Sequence, residues 1–155
     1  MYEVLSIGEA LMDFIPVNPD AERLEAAEGG RITIPQFEEH VGGSPANVAC
    51  ALAKLGVKTG FIGKVGDDPF GRTVKGVLER SGVDIRNLIL DGAYRTPVAL
   101  VHHSPEGKRF TFYRNGQTAD THFEEEEIDD SIFADCKVFN FSSFPLTSEP
   151  SRSTI

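Results

Sequence analysis

The chain has 155 residues, 40% of them apolar and 25% charged, the balance of an ordinary globular domain with room for a real core. A formal net charge of −9 argues against nucleic acid or an anionic membrane as main partner, while leaving an anionic small molecule open to local cations and helix ends. No apolar run is long enough to span a membrane, the start MYEVLSIGEALMDF lacks a basic leader, and Cys50 and Cys136 form no CxxC. A reducing, cytoplasmic setting without a disulfide scaffold or zinc site is therefore expected.

In chain order, Val4 to Ile7 reads as a short buried strand closed by Gly8. Asp13 follows a few residues later, near the carboxyl end of a strand, where ligands gather in open α/β sheets. It is either a ligand group or a solvated loop carboxylate. Residues 18–30 are polar and glycine-ended, a surface loop or short helix, and Arg31 to Val41 alternates enough for a half-buried strand, with Pro35 favouring an edge.

The chain is organised around Val41 to Asp68. Gly42 and Gly43 allow φ > 0 and close approach of a ligand. Ser44 is placed as N-cap, Pro45 at the first helical position and Asn47 at the third, with an alanine-rich helix ending at Gly56. Asn47 is then either a local hydrogen-bonder or, beside free amides at a positive helix end, a group that holds a polar ligand. Neither a GxGxxG fingerprint nor a GxxxxGK[ST] frame occurs. Thr59 to Val65 is a second core strand, and Asp68 and Pro69 open a helix running to about Arg80.

Val83 to Leu90 is a third strand, so strand and helix alternate as in a parallel sheet with crossover helices. Pro97 to His103 and Arg109 to Arg114 break that rhythm as a hairpin turning at Ser104 to Gly107. On its second strand Phe110, Phe112 and Arg114 share a face, where Arg114 either grips a carboxylate, phosphate or hydroxyl or covers an aromatic ring. His102 and His103 face opposite ways and lack a third ligand at metal spacing. The acidic stretch Thr118 to Asp135 reads as a solvated helix face or loop, and Lys137 to Phe141 as a further buried strand. A helix starts at Ser148 to Pro150 and stops at Ile155, as in a truncated product or the ordered half of a longer chain.

GGSPANVACALAKLG followed by GFIGKVGDDPFG closely resembles the amino-terminal signature of the ribokinase-like (PfkB) family of sugar kinases. EALMD and FTFYRNGQTAD resemble its fructokinase branch. The resemblance implies an α/β, Rossmann-like ribokinase fold, with a parallel central sheet, flanking helices and a small β-sheet lid. Residues 1–155 would be the amino-terminal part of one kinase domain, with lid segments at about 12–17, 31–41 and 97–114. It implies transfer of the γ-phosphoryl group of ATP, with magnesium, to a sugar hydroxyl, in this branch fructose to fructose 6-phosphate. Asp13 would bind sugar hydroxyls, Gly42, Gly43 and Asn47 would line the pocket, and Arg114 would reach in from the lid. Phe112 stands where the 2-keto-3-deoxygluconate kinase branch commonly has tyrosine, which favours neutral fructose. A nucleoside kinase uses the same scaffold, but the FTFYRN strand argues against it. The family's DTxGAGD-like segment, with its general-base aspartate and anion hole, is not in these residues and is expected beyond Ile155. The chain alone is therefore expected not to phosphorylate sugar, and a non-catalytic sugar-binding module is the reading from another class. Exposed lid edges make a homodimer plausible.

Overall fold

In the computed structural model, residues 2–17, 36–104, 106–134 and 136–155 are described. Strands β1 (Tyr2–Ile7), β2 (Leu11–Pro16) and β3 (Phe37–Gly42) precede helix α1 (Ser44–Lys54). Strand β4 (Thr59–Gly66), helix α2 (Pro69–Arg80) and strand β5 (Asp84–Asp91) follow, then the hairpin β6 (Val98–Ser104) and β7 (Gly107–Tyr113). Strand β8 (Cys136–Phe141) and the short helix α3 (Ser151–Thr154) come last. The strands form a sheet in the order β5-β4-β1-β8, parallel throughout, and a second sheet in the order β3-β2-β6-β7. Strand–helix alternation thus built the first sheet as expected, and the strands that break the alternation built the second.

All eight residues of β4 are buried, because the parallel sheet is covered on both faces at this central strand. Phe61 and Val65 pack with Ala46 and Ala49 of α1 and with Val74 and Leu78 of α2. Ile62 faces the other way, into a cluster with Leu5, Ile7 and Phe123. The thin alanine side of α1 is what lets it lie close on the sheet. Lys64 is buried in the same strand, its Nζ held by Asp91 at 2.7 Å, by Glu127 at 2.8 Å and by the His122 carbonyl at 3.0 Å. A buried ammonium needs such partners.

Several expectations are corrected. The strand expected to be buried over Lys137 to Phe141 is β8, which lies at the edge of the parallel sheet with Val138, Phe139 and Phe141 exposed. Helix α1 is capped by Gly43 at φ 99, so Ser44, Pro45 and Asn47 stand one position further into the helix than expected. The Asn47 backbone N–H donates to the Gly43 carbonyl at 2.9 Å as part of the helix. The end of the helix is as expected, with Leu55 as C-cap and Gly56, at φ 87, as the left-handed glycine that ends it. The acidic stretch is not solvated throughout: Ala119, Asp120, Thr121 and Phe123 are buried, and the exposed acids begin at Glu124. Apolar Phe123 fills the far face of the sheet and carries its neighbours inward. The strand expected over 31–41 is present as Phe37–Gly42, while 31–35 and the surface segment 18–30 lie outside the described residues.

Candidate functional site

The two sheets meet at the carboxyl ends of β1 and β8, and a cavity of about 400 Å³ opens between them. The turn from β1 into β2 supplies Glu9, Leu11 and Asp13, the start of α1 supplies Gly43 and Ser44, and β7 supplies Phe110 and Phe112. Ser142, Ser143 and Phe144, after β8, close the wall. This is the usual place for a ligand in an open α/β sheet, outside the carboxyl ends of the strands.

Asp13 lies on β2, paired in register with His40 of β3 and Ala99 of β6, rather than on a loop. It is half-buried and its carboxylate has no hydrogen-bond partner among the described residues. Burial raises its pKa above the ordinary carboxylate value, and the nearby His40 charge opposes that only in part. A carboxylate so placed can accept hydrogen bonds from a ligand. Gly42 leaves room for it, since a Cβ there would overlap Asp13 Oδ2 in its present position. Gly43 is held by φ 99 and by the Glu9 backbone, whose carbonyl oxygen a Cβ would overlap.

Glu9 is one of the cavity residues that sequence reasoning missed, with Leu11, Ser44, Phe110, Ser142, Ser143 and Phe144. It is 4% exposed; one carboxylate oxygen accepts the Ser44 amide at 3.0 Å and the other the Ser142 hydroxyl at 2.5 Å. An acid directly after the glycine that closes a strand was the available signal, overshadowed by Asp13 four residues on.

Phe110 and Phe112 are stacked with ring centroids 5.9 Å apart, and Phe112 meets Phe144 at 5.1 Å. Arg114, just past β7, lies with its guanidinium carbon 4.3 Å from the centre of the Phe144 ring. Its Nε donates to Asp120 and its Nη1 donates to the Thr147 hydroxyl at 2.9 Å. Arg114 Nη2 and Asp120 Oδ1 are buried without hydrogen-bond partners among the described residues. Arg114 therefore stands behind the aromatic wall. Asn47 is exposed one turn into α1 and does not line the cavity. The structure thus brings Asp13, Gly43 and Phe112 together at the cavity, sets Gly42 against Asp13, and leaves Asn47 and Arg114 outside the lining.

Among the described residues no group of three or more His, Cys, Asp or Glu that could hold a metal ion is found. No helix among them is long and apolar enough to cross a membrane.

Comparisons with known proteins agree with this architecture. Fructokinase-2 of Zea mays is 42% identical over 151 residues, covering 97% of this chain and 42% of that protein. An uncharacterized sugar kinase from Pyrococcus horikoshii, solved in complex with ATP, superposes with a TM-score of 0.82 at 34% identity, covering 97% of this chain and 46% of that one. The fructokinase of Halothermothrix orenii gives a TM-score of 0.79 at 33% identity, covering 98% of this chain and 50% of that one. The chain spans less than half the length of the curated relatives it matches. The sequence profile of the pfkB family carbohydrate kinases matches residues 1–155, and the chain belongs to that family.

Proposed function

We propose that the cavity between the two sheets is the sugar site of an ATP-dependent kinase, with fructose as the sugar and fructose 6-phosphate as the product. The observation that carries this reading is the lining: two carboxylates, three serines, three phenylalanines and, among the described residues, no lysine, arginine or histidine. Such a wall offers acceptors to hydroxyl donors and flat apolar faces to a sugar ring. It repels an added carboxylate, which weighs against a sugar acid such as 2-keto-3-deoxygluconate.

In this reading Asp13 accepts from sugar hydroxyls, Gly42 and Gly43 allow close approach, and Phe112 packs on the ring. Asn47 and Arg114 join only by turning from their present positions. The second sheet acts as the lid of a single kinase domain, the role expected of the segments at about 12–17, 31–41 and 97–114, and keeps water from the phosphoryl group. The ATP complex of the Pyrococcus horikoshii kinase supports ATP as the phosphoryl donor. Magnesium is proposed with it, on the family resemblance alone. A cytoplasmic setting and a homodimer through the edges of the second sheet belong to the same reading, and sedimentation velocity tests the dimer.

Phosphoryl transfer rests on positioning and charge stabilisation around the transferred group. These 155 residues contain no DTxGAGD-like run, so we propose that on their own they bind sugar without phosphorylating it. Calorimetry of the 155-residue chain with fructose and with 2-keto-3-deoxygluconate, beside a coupled kinase assay, tests all three points. Saturable heat with fructose alone is expected. Tighter binding of the sugar acid, no binding of either, or robust turnover would each overturn the corresponding part.

A further inference from the structure

Helix α1 has an unusual start. Its N-cap is a glycine, and no side chain of the cap accepts from the first turn. Gly43 cannot be exchanged for a capping serine or aspartate, because its φ of 99 and the Glu9 carbonyl both exclude a Cβ. The acceptor comes instead from Glu9 itself, 35 positions earlier in the chain. Backbone and side chain of one residue thus forbid the local cap and replace it.

The second oxygen of Glu9 takes the hydroxyl of Ser142, 133 positions away, on the loop that leaves β8. One buried carboxylate therefore spans two segments that line the cavity, the start of α1 and the loop carrying Ser142, Ser143 and Phe144. A carboxylate that is 4% exposed is costly to keep unless donors meet both oxygens, and here each oxygen has its own.

We propose that Glu9 is the positioning residue of the cavity, the tie that fixes the start of α1 against the loop after β8 and so sets the width of the site at Asp13. This rests on the cavity being the sugar site. Charge is not what the tie needs: a glutamine has the same reach, its amide oxygen accepting from Ser44 and its NH₂ donating to the Ser142 oxygen.

The test uses the 155-residue chain and two readouts on Glu9→Ala, Glu9→Gln and Ser142→Ala: fructose affinity by calorimetry, and exchange of the Ser44 amide proton by NMR. Glu9→Ala is expected to weaken fructose binding by about tenfold or more, as misplacement of a preorganised site does. It should also accelerate Ser44 exchange. Glu9→Gln should recover most of the lost affinity and slow the exchange again, while Ser142→Ala weakens binding and leaves Ser44 protected. Glu9→Gln as weak as Glu9→Ala would overturn the proposal, since the charge rather than the tie would then be felt. Unchanged affinity or unchanged Ser44 exchange in Glu9→Ala would also overturn it. Absence of fructose binding in the parent chain would remove the sugar reading instead, and Ser44 exchange would still decide whether Glu9 holds the helix.

Discussion

The central strand of one sheet and the edge strand of the other are built on opposite principles. In the parallel sheet β4 is buried from end to end, between α1 and α2 on one side and Phe123 and its neighbours on the other. In the second sheet every residue of β7 is exposed, and Phe110 and Phe112 keep 52% and 46% of their surface open while lining a cavity. The central strand hides its apolar side chains to hold the fold, although β8, at the edge of the same sheet, leaves Val138, Phe139 and Phe141 exposed. Strand β7 leaves them showing where a ligand can cover them, which is what a large exposed apolar patch commonly means.

The sharpest way to break this comparison is to truncate the same residue type in each sheet. Phe61→Ala, at a fully buried position, should cost about 3–5 kcal/mol of unfolding free energy. Phe110→Ala should cost less than about 1 kcal/mol and instead weaken fructose binding. Urea denaturation and calorimetry on the two variants separate the effects, and equal losses of stability would erase the distinction.

The charged interior of the parallel sheet gives the next largest effect. Lys64→Met leaves Asp91 and Glu127 facing each other without the ammonium that holds both. A loss of about 3 kcal/mol is expected in denaturant melts, at the lower end for a broken buried pair because Glu127 keeps some solvent. Adding Glu127→Gln should restore part of it.

Gly42→Ala probes the seam between the sheets. Its Cβ would overlap Asp13 Oδ2, so the carboxylate must swing away. Fructose affinity should fall by about tenfold with stability changed by less than about 1 kcal/mol, since the displaced group is only half-buried. Unaltered affinity would show that the carboxylate position is immaterial.

The smallest effect lies at the opposite end of the parallel sheet. Asp84 takes the Tyr2 hydroxyl at 2.9 Å and the Arg86 side chain at 3.0 Å. The hydrogen bonds from Arg86 hold its pKa down, from 3.8 to about 2. A lowered carboxylate pKa adds stability that is present above the unfolded value and lost as pH falls through the folded one. The melting temperature should therefore fall more steeply between about pH 4 and 2 in the parent than in Asp84→Asn, by a small margin given the solvent at the site.

Most of the parallel sheet could be read from local patterns, because its strands are apolar runs of four to eight residues and its helices carry Pro and Asp at their starts. Asp68 is such a case, its side chain accepting the Gly71 amide as an N-cap does. The site was legible only in part. Asp13 and Phe112 sit at the cavity because strand order and alternation put them there. Arg114 shares the face of Phe112 as alternation required, yet a buried Asp120 and Thr147, six and 33 residues further on, hold it behind Phe144. No periodicity reports such a partner. Glu9 was hidden for the same reason, its two donors being supplied by distant segments.

The central claim is that Asp13 in this cavity receives the hydroxyls of a neutral sugar, and fructose calorimetry on the parent chain and Asp13→Ala tests it most directly. The account predicts saturable one-site binding in the parent and affinity at least about tenfold lower in the variant, with the fold retained. Equal binding by both chains, or none by the parent, would contradict it.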